Sequence, residues 1–106
     1  MKTSISPQEL KHSLEKGPAE VLVIDVRRRS DFEAQKRLIP GAEWKDPEKV
    51  EAWGKDLPKD KPVIVYCVRG GSVSQSVSAR LADEQVQVRY LEGGLAAWDL
   101  ATEAES

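Results

Sequence analysis

Two short, unbroken runs of branched apolar residues constrain the fold of this chain more than any other feature. Val21 to Val26 (VLVIDV) and Val63 to Tyr66 (VIVY) lack the polar–apolar alternation of a half-exposed strand. Such runs are typical of strands that are buried on both faces, and these occur mainly in parallel sheets covered by helices. Each run precedes a segment with helical character, so we expect an α/β fold with a mainly parallel sheet and helices on both faces.

Capping residues mark where the predicted helices begin, and glycine or proline residues mark where they end. Ser6 and Glu9 form a capping box. Ser30 and Glu33 repeat that pattern directly after the first apolar run. The predicted helices cover residues 7–16, a short segment from Ser30, 47–53, 73–84 and 95–98, and a third strand covers 86–91. The last residues, 100–106, are mostly polar and are predicted to form a frayed or disordered tail.

Size and charge exclude several classes of function. The 106 residues suffice for one hydrophobic core, so we expect a single domain over residues 1–106. Sixteen basic and eighteen acidic residues give a net charge of -2, which offers no sustained positive field for a nucleic acid or an anionic membrane. The chain also lacks an apolar signal sequence and a run of roughly 20 apolar residues. We therefore expect a cytoplasmic protein that acts on small molecules, without nucleic-acid or membrane partners.

Cys67 is the only cysteine, and it stands directly after the second apolar run. One cysteine excludes an internal disulfide, and with a single histidine the chain has too few ligands for a zinc site of the usual kind, so we expect no metal and no cofactor. A lone cysteine is often an inert, buried side chain. Cys67, however, precedes two glycines and a helix, and ligands collect where the strands of parallel sheets end. This placement favours a catalytic cysteine.

The loop after Cys67 predicts an anion-binding nest. Consecutive glycines permit backbone dihedral angles that turn several amides toward one point. The following helix N-terminus and a nearby arginine would add positive charge, and both favour the thiolate form of a cysteine. We expect substrate binding by Val68, Arg69, Gly70, Gly71, Ser72 and Val73. An ordinary strand-to-helix turn with a solvated surface arginine is the alternative interpretation.

Four motifs, in their order and spacing, resemble the rhodanese domain family. They are Val23 to Arg27 (VIDVR), Ile39 to Ala42 (IPGA), Val65 to Cys67 (VYC) and Tyr90 to Gly94 (YLEGG). The resemblance covers about residues 6–98 and implies a rhodanese-like fold with a five-stranded, mainly parallel sheet. It also implies a sulfurtransferase that moves sulfane sulfur from a donor such as thiosulfate to cyanide or a thiol acceptor. The intermediate would be a persulfide on Cys67.

The resemblance assigns further roles and also has departures. It implies that Arg69 binds the anionic donor, and that Asp25 and Arg27 brace the loop or shape the rim of the pocket. A purely structural ion pair is the alternative for Asp25 and Arg27. The sequence has Arg37-Leu38 where the family usually has glycine-histidine, and Ser72 where many members have an arginine.

Two other functions remain open from the sequence. A phosphatase or arsenate reductase of a related fold uses a Cys-x5-Arg loop, whereas here Cys67-x5 leads to Val73. Without that arginine the transition-state oxyanion would lose a bidentate partner. A non-enzymatic sulfur carrier or interaction module would use the same fold without efficient turnover. The loop therefore favours sulfur chemistry over phosphate chemistry.

Overall fold

A five-stranded sheet forms the centre of the computed structural model, which describes residues 3–103. The strands are β1 (Ser4–Ile5), β2 (Leu22–Asp25), β3 (Glu43–Trp44), β4 (Val63–Tyr66) and β5 (Val88–Leu91). Their order across the sheet is β1-β5-β4-β2-β3, and every neighbouring pair is parallel. The predicted α/β fold is confirmed, and the two apolar runs form two of its three central strands.

Five α-helices surround the sheet in the described part of the chain. They are α1 (Pro7–Lys16), α2 (Arg29–Ala34), α3 (Val50–Trp53), α4 (Ser72–Asp83) and α5 (Gly94–Glu103). Short 3-10 turns occupy Pro18–Glu20, Pro47–Lys49 and Gly54–Asp56. The predicted capping box of α1 is present, since the Glu9 amide donates to Ser6 Oγ at 3.1 Å and the Ser6 amide donates to Glu9 Oε1 at 3.3 Å.

The predicted start of α2 is wrong. Ser30 does not cap this helix, because the N-cap position is occupied by Arg28, which makes no side-chain capping hydrogen bond. Contacts with Trp44 determine this part of the chain instead of the capping pattern. The ring of Phe32 stacks on Trp44 with centroids 4.9 Å apart, and Trp44 Nε1 donates to the Arg27 carbonyl at 2.9 Å. These contacts fix the chain before and within α2.

The predicted polar tail is also wrong over residues 100–103, which continue α5. Trp98 anchors this helix in the core, and Thr102 Oγ1 donates to the Trp98 carbonyl at 2.9 Å. Side-chain packing on one helix face therefore outweighs the polar character of the other. The remaining part of that prediction, residues 104–106, lies outside the described residues.

Helices cover both faces of the sheet, as predicted. On one face, α1 and α5 contribute Leu10, Leu95 and Trp98 to a cluster with Val23, Ile64 and Tyr66. On the other, α3 and α4 contribute Val50, Trp53, Val77 and Leu81 to a cluster with Ile24, Val63 and Val65. Strands β2 and β4 are thus buried on both sides, which explains their unbroken apolar sequences. No helix within residues 3–103 is long and apolar enough to cross a membrane.

Candidate active site

Cys67 lies at the carboxyl edge of the sheet, directly after β4, and the residue is only 6% exposed. Its carbonyl accepts a hydrogen bond from the Leu95 amide at 2.8 Å, and the Val68 carbonyl accepts one from the Ala96 amide at 3.0 Å. Both donors belong to the first turn of α5. The N-terminus of this helix therefore fixes the start of the loop that follows the cysteine.

The carbonyl and amide groups of the loop differ in their hydrogen bonding. The Gly70 carbonyl accepts from Gln75 Nε2 at 3.0 Å, and the Gly71 carbonyl accepts from the Gln75 amide at 3.2 Å. Among the residues that the structure describes, no acceptor is bound by the backbone amides of residues 68–74. Since backbone donors in proteins are nearly always paired with protein, water or ligand, this segment offers free donors to an anion.

The two glycines of the loop differ in conformation. Gly70 has a φ of +70°, in the left-handed region, whereas Gly71 has a φ of -86°. A Cβ atom at Gly70 would also lie 2.8 Å from the Gly93 amide nitrogen. Only Gly70 therefore requires glycine on conformational grounds, and it does so where the loop packs on the turn between β5 and α5.

Ser74 contacts the cysteine sulfur, although it lies outside the predicted site residues. Cys67 Sγ and Ser74 Oγ are 3.2 Å apart, and both side chains are buried. Ser74 Oγ also lies 3.4 Å from the Gly71 carbonyl, to which it donates. A hydroxyl group can donate as well as accept, so the same contact can supply a hydrogen bond to a thiolate. The sequence does contain a sign of this placement, because Ser74 lies three residues before Val77 and so falls on the buried face of α4.

Asp25 and Arg27 form a fully buried ion pair after β2. Arg27 Nη2 lies 2.6 Å from Asp25 Oδ2, and the two side chains are 2% and 0% exposed. The guanidinium also donates to the Gln35 carbonyl at 2.8 Å and to the Arg37 carbonyl at 3.0 Å. The pair therefore ties the segment after α2 to the end of the central strand, which is the structural role left open by the sequence.

Tyr66 extends this buried network. Its hydroxyl oxygen accepts a hydrogen bond from the Ile39 amide at 3.2 Å. Burial raises the pKa of Tyr66 well above its ordinary value, and the nearby carboxylate of Asp25 raises it further. Tyr66 is therefore a neutral phenol that holds the segment around Ile39 in place.

A cavity of about 240 Å³ opens over the cysteine loop. Its lining residues are Cys67, Val68, Arg69, Gly71, Ser72 and Val73 from the loop, with Arg27, Arg28 and Asp31 from the chain after β2. Of the predicted site residues, Gly70 and Asp25 do not line this cavity. Gly70 instead supports the loop, and Asp25 supports Arg27.

No group of three or more histidine, cysteine, aspartate and glutamate side chains in residues 3–103 is arranged to hold a metal ion. The chemistry available at the loop is that of one buried thiol, its serine neighbour and free backbone amides. A thiol can act as a nucleophile, and free amides can bind an anion.

A profile of the Rhodanese-like domain family matches residues 6–101 of this sequence. The chain belongs to that family. Among characterised proteins, the rhodanese-like chain is similar to the thiosulfate sulfurtransferase GlpE of Coxiella burnetii. The two are 32% identical over 80 residues, which cover 74% of this chain and 72% of that protein. The predicted resemblance is therefore confirmed.

Two further relatives differ in how much of their own length the match covers. A tRNA sulfurtransferase of Desulfurococcus amylolyticus is 31% identical over 97 residues, which cover 88% of this rhodanese-like chain but only about a fifth (19%) of that protein. A rhodanese homologue from Thermus thermophilus is 35% identical with a TM-score of 0.67, and the match covers 91% of this chain and 99% of that structure. Sulfur transfer is the chemistry that the two characterised relatives share.

Proposed function

We propose that this rhodanese-like domain is a thiosulfate sulfurtransferase that works through a persulfide on Cys67. The observation that carries the proposal is the buried thiol beside a loop whose amides bind no acceptor among the described residues. An anionic donor entering the 240 Å³ cavity would meet these amides together with Arg69 at the rim. Hydrogen bonds to charged groups are the stronger class, so the site selects an anion over a neutral molecule.

The first half-reaction transfers one neutral sulfur atom to the enzyme. The Cys67 thiolate attacks the outer sulfur of thiosulfate, and a new S–S bond forms at Sγ. The bond between the two sulfurs of thiosulfate breaks, and its electron pair leaves with sulfite. The three negative charges of the reactants are then shared between the persulfide and sulfite, so no oxidant is required. Free loop amides and Ser74 Oγ supply hydrogen bonds to the persulfide.

The second half-reaction restores the enzyme. Cyanide or a thiolate attacks the terminal sulfur of the persulfide, and the S–S bond to Cys67 breaks with its electron pair returning to Sγ. The acceptor leaves as thiocyanate or as a new persulfide. Val73, half-buried, stands where a phosphatase loop would carry its arginine. The buried guanidinium of Arg27 is already engaged by Asp25, and this arrangement favours sulfur over phosphate as the group transferred.

Mass spectrometry of the intact protein after incubation with thiosulfate tests the proposal. We expect an added mass of one sulfur atom on Cys67, and its absence from a Cys67→Ser variant. Production of thiocyanate from thiosulfate and cyanide is the matching turnover assay. An adduct without turnover would indicate a sulfur carrier, and hydrolysis of an aryl phosphate without any adduct would indicate a phosphatase. Either result contradicts the proposal.

The contact between Ser74 and the sulfur predicts a second result. Replacing Ser74 with alanine removes a hydrogen-bond donor to the charged sulfur, which is worth about 1.5 to 3 kcal/mol. We therefore expect kcat/KM for thiosulfate to fall about 10- to 150-fold. Ser78→Ala is the matched control, because Ser78 is a buried serine one turn further along α4. Equal losses in the two variants would show that Ser74 acts only through the packing of the helix.

A further inference from the structure

Two helices hold the carbonyl groups of the reactive loop. The first turn of α5 donates to the carbonyls of Cys67 and Val68 at 2.8 and 3.0 Å. In α4, a single residue donates to the other two carbonyls. Gln75 Nε2 lies 3.0 Å from the Gly70 carbonyl, and the Gln75 amide lies 3.2 Å from the Gly71 carbonyl. Gln75 therefore holds two consecutive peptide groups where the loop enters α4.

These carbonyl contacts determine where the next amides point. A peptide group is planar and trans, so the carbonyl of one residue and the amide of the next point in opposite directions. The Gly70 carbonyl points to Gln75, which does not line the cavity over the thiol, and the Gly71 amide therefore points away from Gln75. Gly71 and Ser72 both line that cavity. By the same geometry, the bond to the Gly71 carbonyl orients the amide of Ser72.

The peptide group between the two glycines depends most on an outside contact. Glycine adopts positive and negative φ about equally readily, so the backbone of Gly70 and Gly71 has many alternative orientations. Within residues 3–103, Gln75 Nε2 is the one donor to the Gly70 carbonyl. The side chain of Gln75 is exposed and takes no part in the core. Its hydrogen bond therefore affects the loop more than the stability of the fold.

We propose that Gln75 is a positioning residue for sulfur transfer. Its side chain holds the peptide group between Gly70 and Gly71 so that the Gly71 amide donates to the anionic sulfur donor. This inference rests on the proposed function. Gln75 differs from Ser74, whose hydroxyl lies 3.2 Å from the cysteine sulfur, because Gln75 acts only through the backbone of the loop.

Substitutions of Gln75 test this role in turnover. Gln75→Met keeps the length of the side chain but removes the donor, so kcat/KM for thiosulfate should fall about 3- to 10-fold. Gln75→Glu should lose at least as much, since a carboxylate cannot donate to a carbonyl. Gln75→Lys retains a donor and should stay within about 2-fold of the native value.

Gln87→Met is the matched control. Gln87 is also exposed, and its Nε2 donates to the Lys59 carbonyl at 2.9 Å. It precedes β5, at the edge of the sheet opposite to the reactive loop. Gln87→Met therefore removes the same kind of hydrogen bond and should leave kcat/KM unchanged. Equal losses in Gln75→Met and Gln87→Met would contradict the positioning role.

Nuclear magnetic resonance of the backbone amides gives a readout that a general structural role would not produce. Cys67→Ser cannot accept sulfur, so thiosulfate can be added to saturation without reaction. We expect thiosulfate to shift the amide resonances of the loop in this variant. Adding Gln75→Met should abolish most of the shift at Gly71. The shifts at Val68 and Ser72 should persist, because backbone amides of α5 and of residue 75 still hold the carbonyls before them.

The outcomes separate this inference from the proposed function. An unchanged shift at Gly71, or an equal loss at Val68, would overturn the positioning role, whereas a persulfide on Cys67 would leave sulfur transfer in place. Absence of thiosulfate-induced shifts throughout the loop would also overturn the inference, because the amides would then not bind the donor. A selective loss at Gly71 without any persulfide on Cys67 would overturn sulfur transfer and leave Gln75 as the residue that orients an anion site.

Discussion

Replacing Asp25 with alanine is expected to lower the free energy of unfolding by about 3 to 5 kcal/mol, because it leaves the buried charge of Arg27 without its partner. The guanidinium is only 2% exposed, so water solvates its charge poorly once the carboxylate is gone. Asp25 also accepts a hydrogen bond from the Arg27 amide at 2.9 Å, which would be lost as well. For a small domain with roughly 5 to 15 kcal/mol of stability, this is a large share of the total.

Urea unfolding followed by circular dichroism measures this change. Glu51 and Arg80 provide the matched control, since they form an ion pair of 2.8 Å with side chains that are 71% and 45% exposed. Glu51→Ala should cost less than about 1 kcal/mol, because water screens the pair and solvates the partner that remains. A loss for Asp25→Ala as small as that for Glu51→Ala would contradict the expectation.

A double variant separates the effect of the unpaired Arg27 charge on stability from the effect of the other contacts of Arg27. Adding Arg27→Met to Asp25→Ala removes the uncompensated charge, so the double variant should lose less stability than the sum of the two single variants. It should still be less stable than the native protein, because the carbonyl groups of Gln35 and Arg37 lose their donors. The coupling therefore measures the ion pair, and the remaining deficit measures the bracing of the segment after α2.

The central strands and the longer helices were predictable because their signals are local. Burial on both faces leaves an uninterrupted apolar sequence, as in β4, and the capping box of α1 lies within four consecutive residues. The edge strands β1 and β3 have two residues each, and no apolar period can be read from so short a segment. The beginning of α2 depends on Trp44, which is distant in sequence, so the local signal at Ser30 was misleading.

The site was predictable in its nucleophile and loop but not in its surroundings. Cys67 and its glycines are adjacent in sequence, and the carboxyl edge of a parallel sheet is a general place for ligands. Ser74 was readable from its spacing to Val77, but a serine in a first helical turn is ordinarily a solvated residue. Arg28 and Glu48 both line a cavity of about 550 Å³, and only the pairing of β2 with β3 brings these two segments together.

Replacing Gly94 with alanine is expected to lower kcat/KM for thiosulfate by about 100-fold or more, although Cys67 and Ser74 themselves are unchanged. Gly94 has a φ of +61°, where a side chain is strained. Its Cβ atom would overlap the Cys67 carbonyl oxygen and lie 2.6 Å from the Gly70 nitrogen and 2.8 Å from the Arg69 nitrogen. These are backbone atoms of the reactive loop, so the strain is relieved only by moving the loop away from α5.

Gly41→Ala distinguishes this displacement from backbone strain alone. Gly41 also has a positive φ, of +84°, but nothing lies within 4 Å of the position of its Cβ atom. It should therefore cost about 1 to 2 kcal/mol of stability and leave turnover unchanged. Gly94→Ala, assayed where it is folded, should lose turnover while its thiol still reacts with iodoacetamide. Full activity in Gly94→Ala would mean that the position of the loop amides does not limit sulfur transfer, since the thiol and its serine neighbour would then suffice without them.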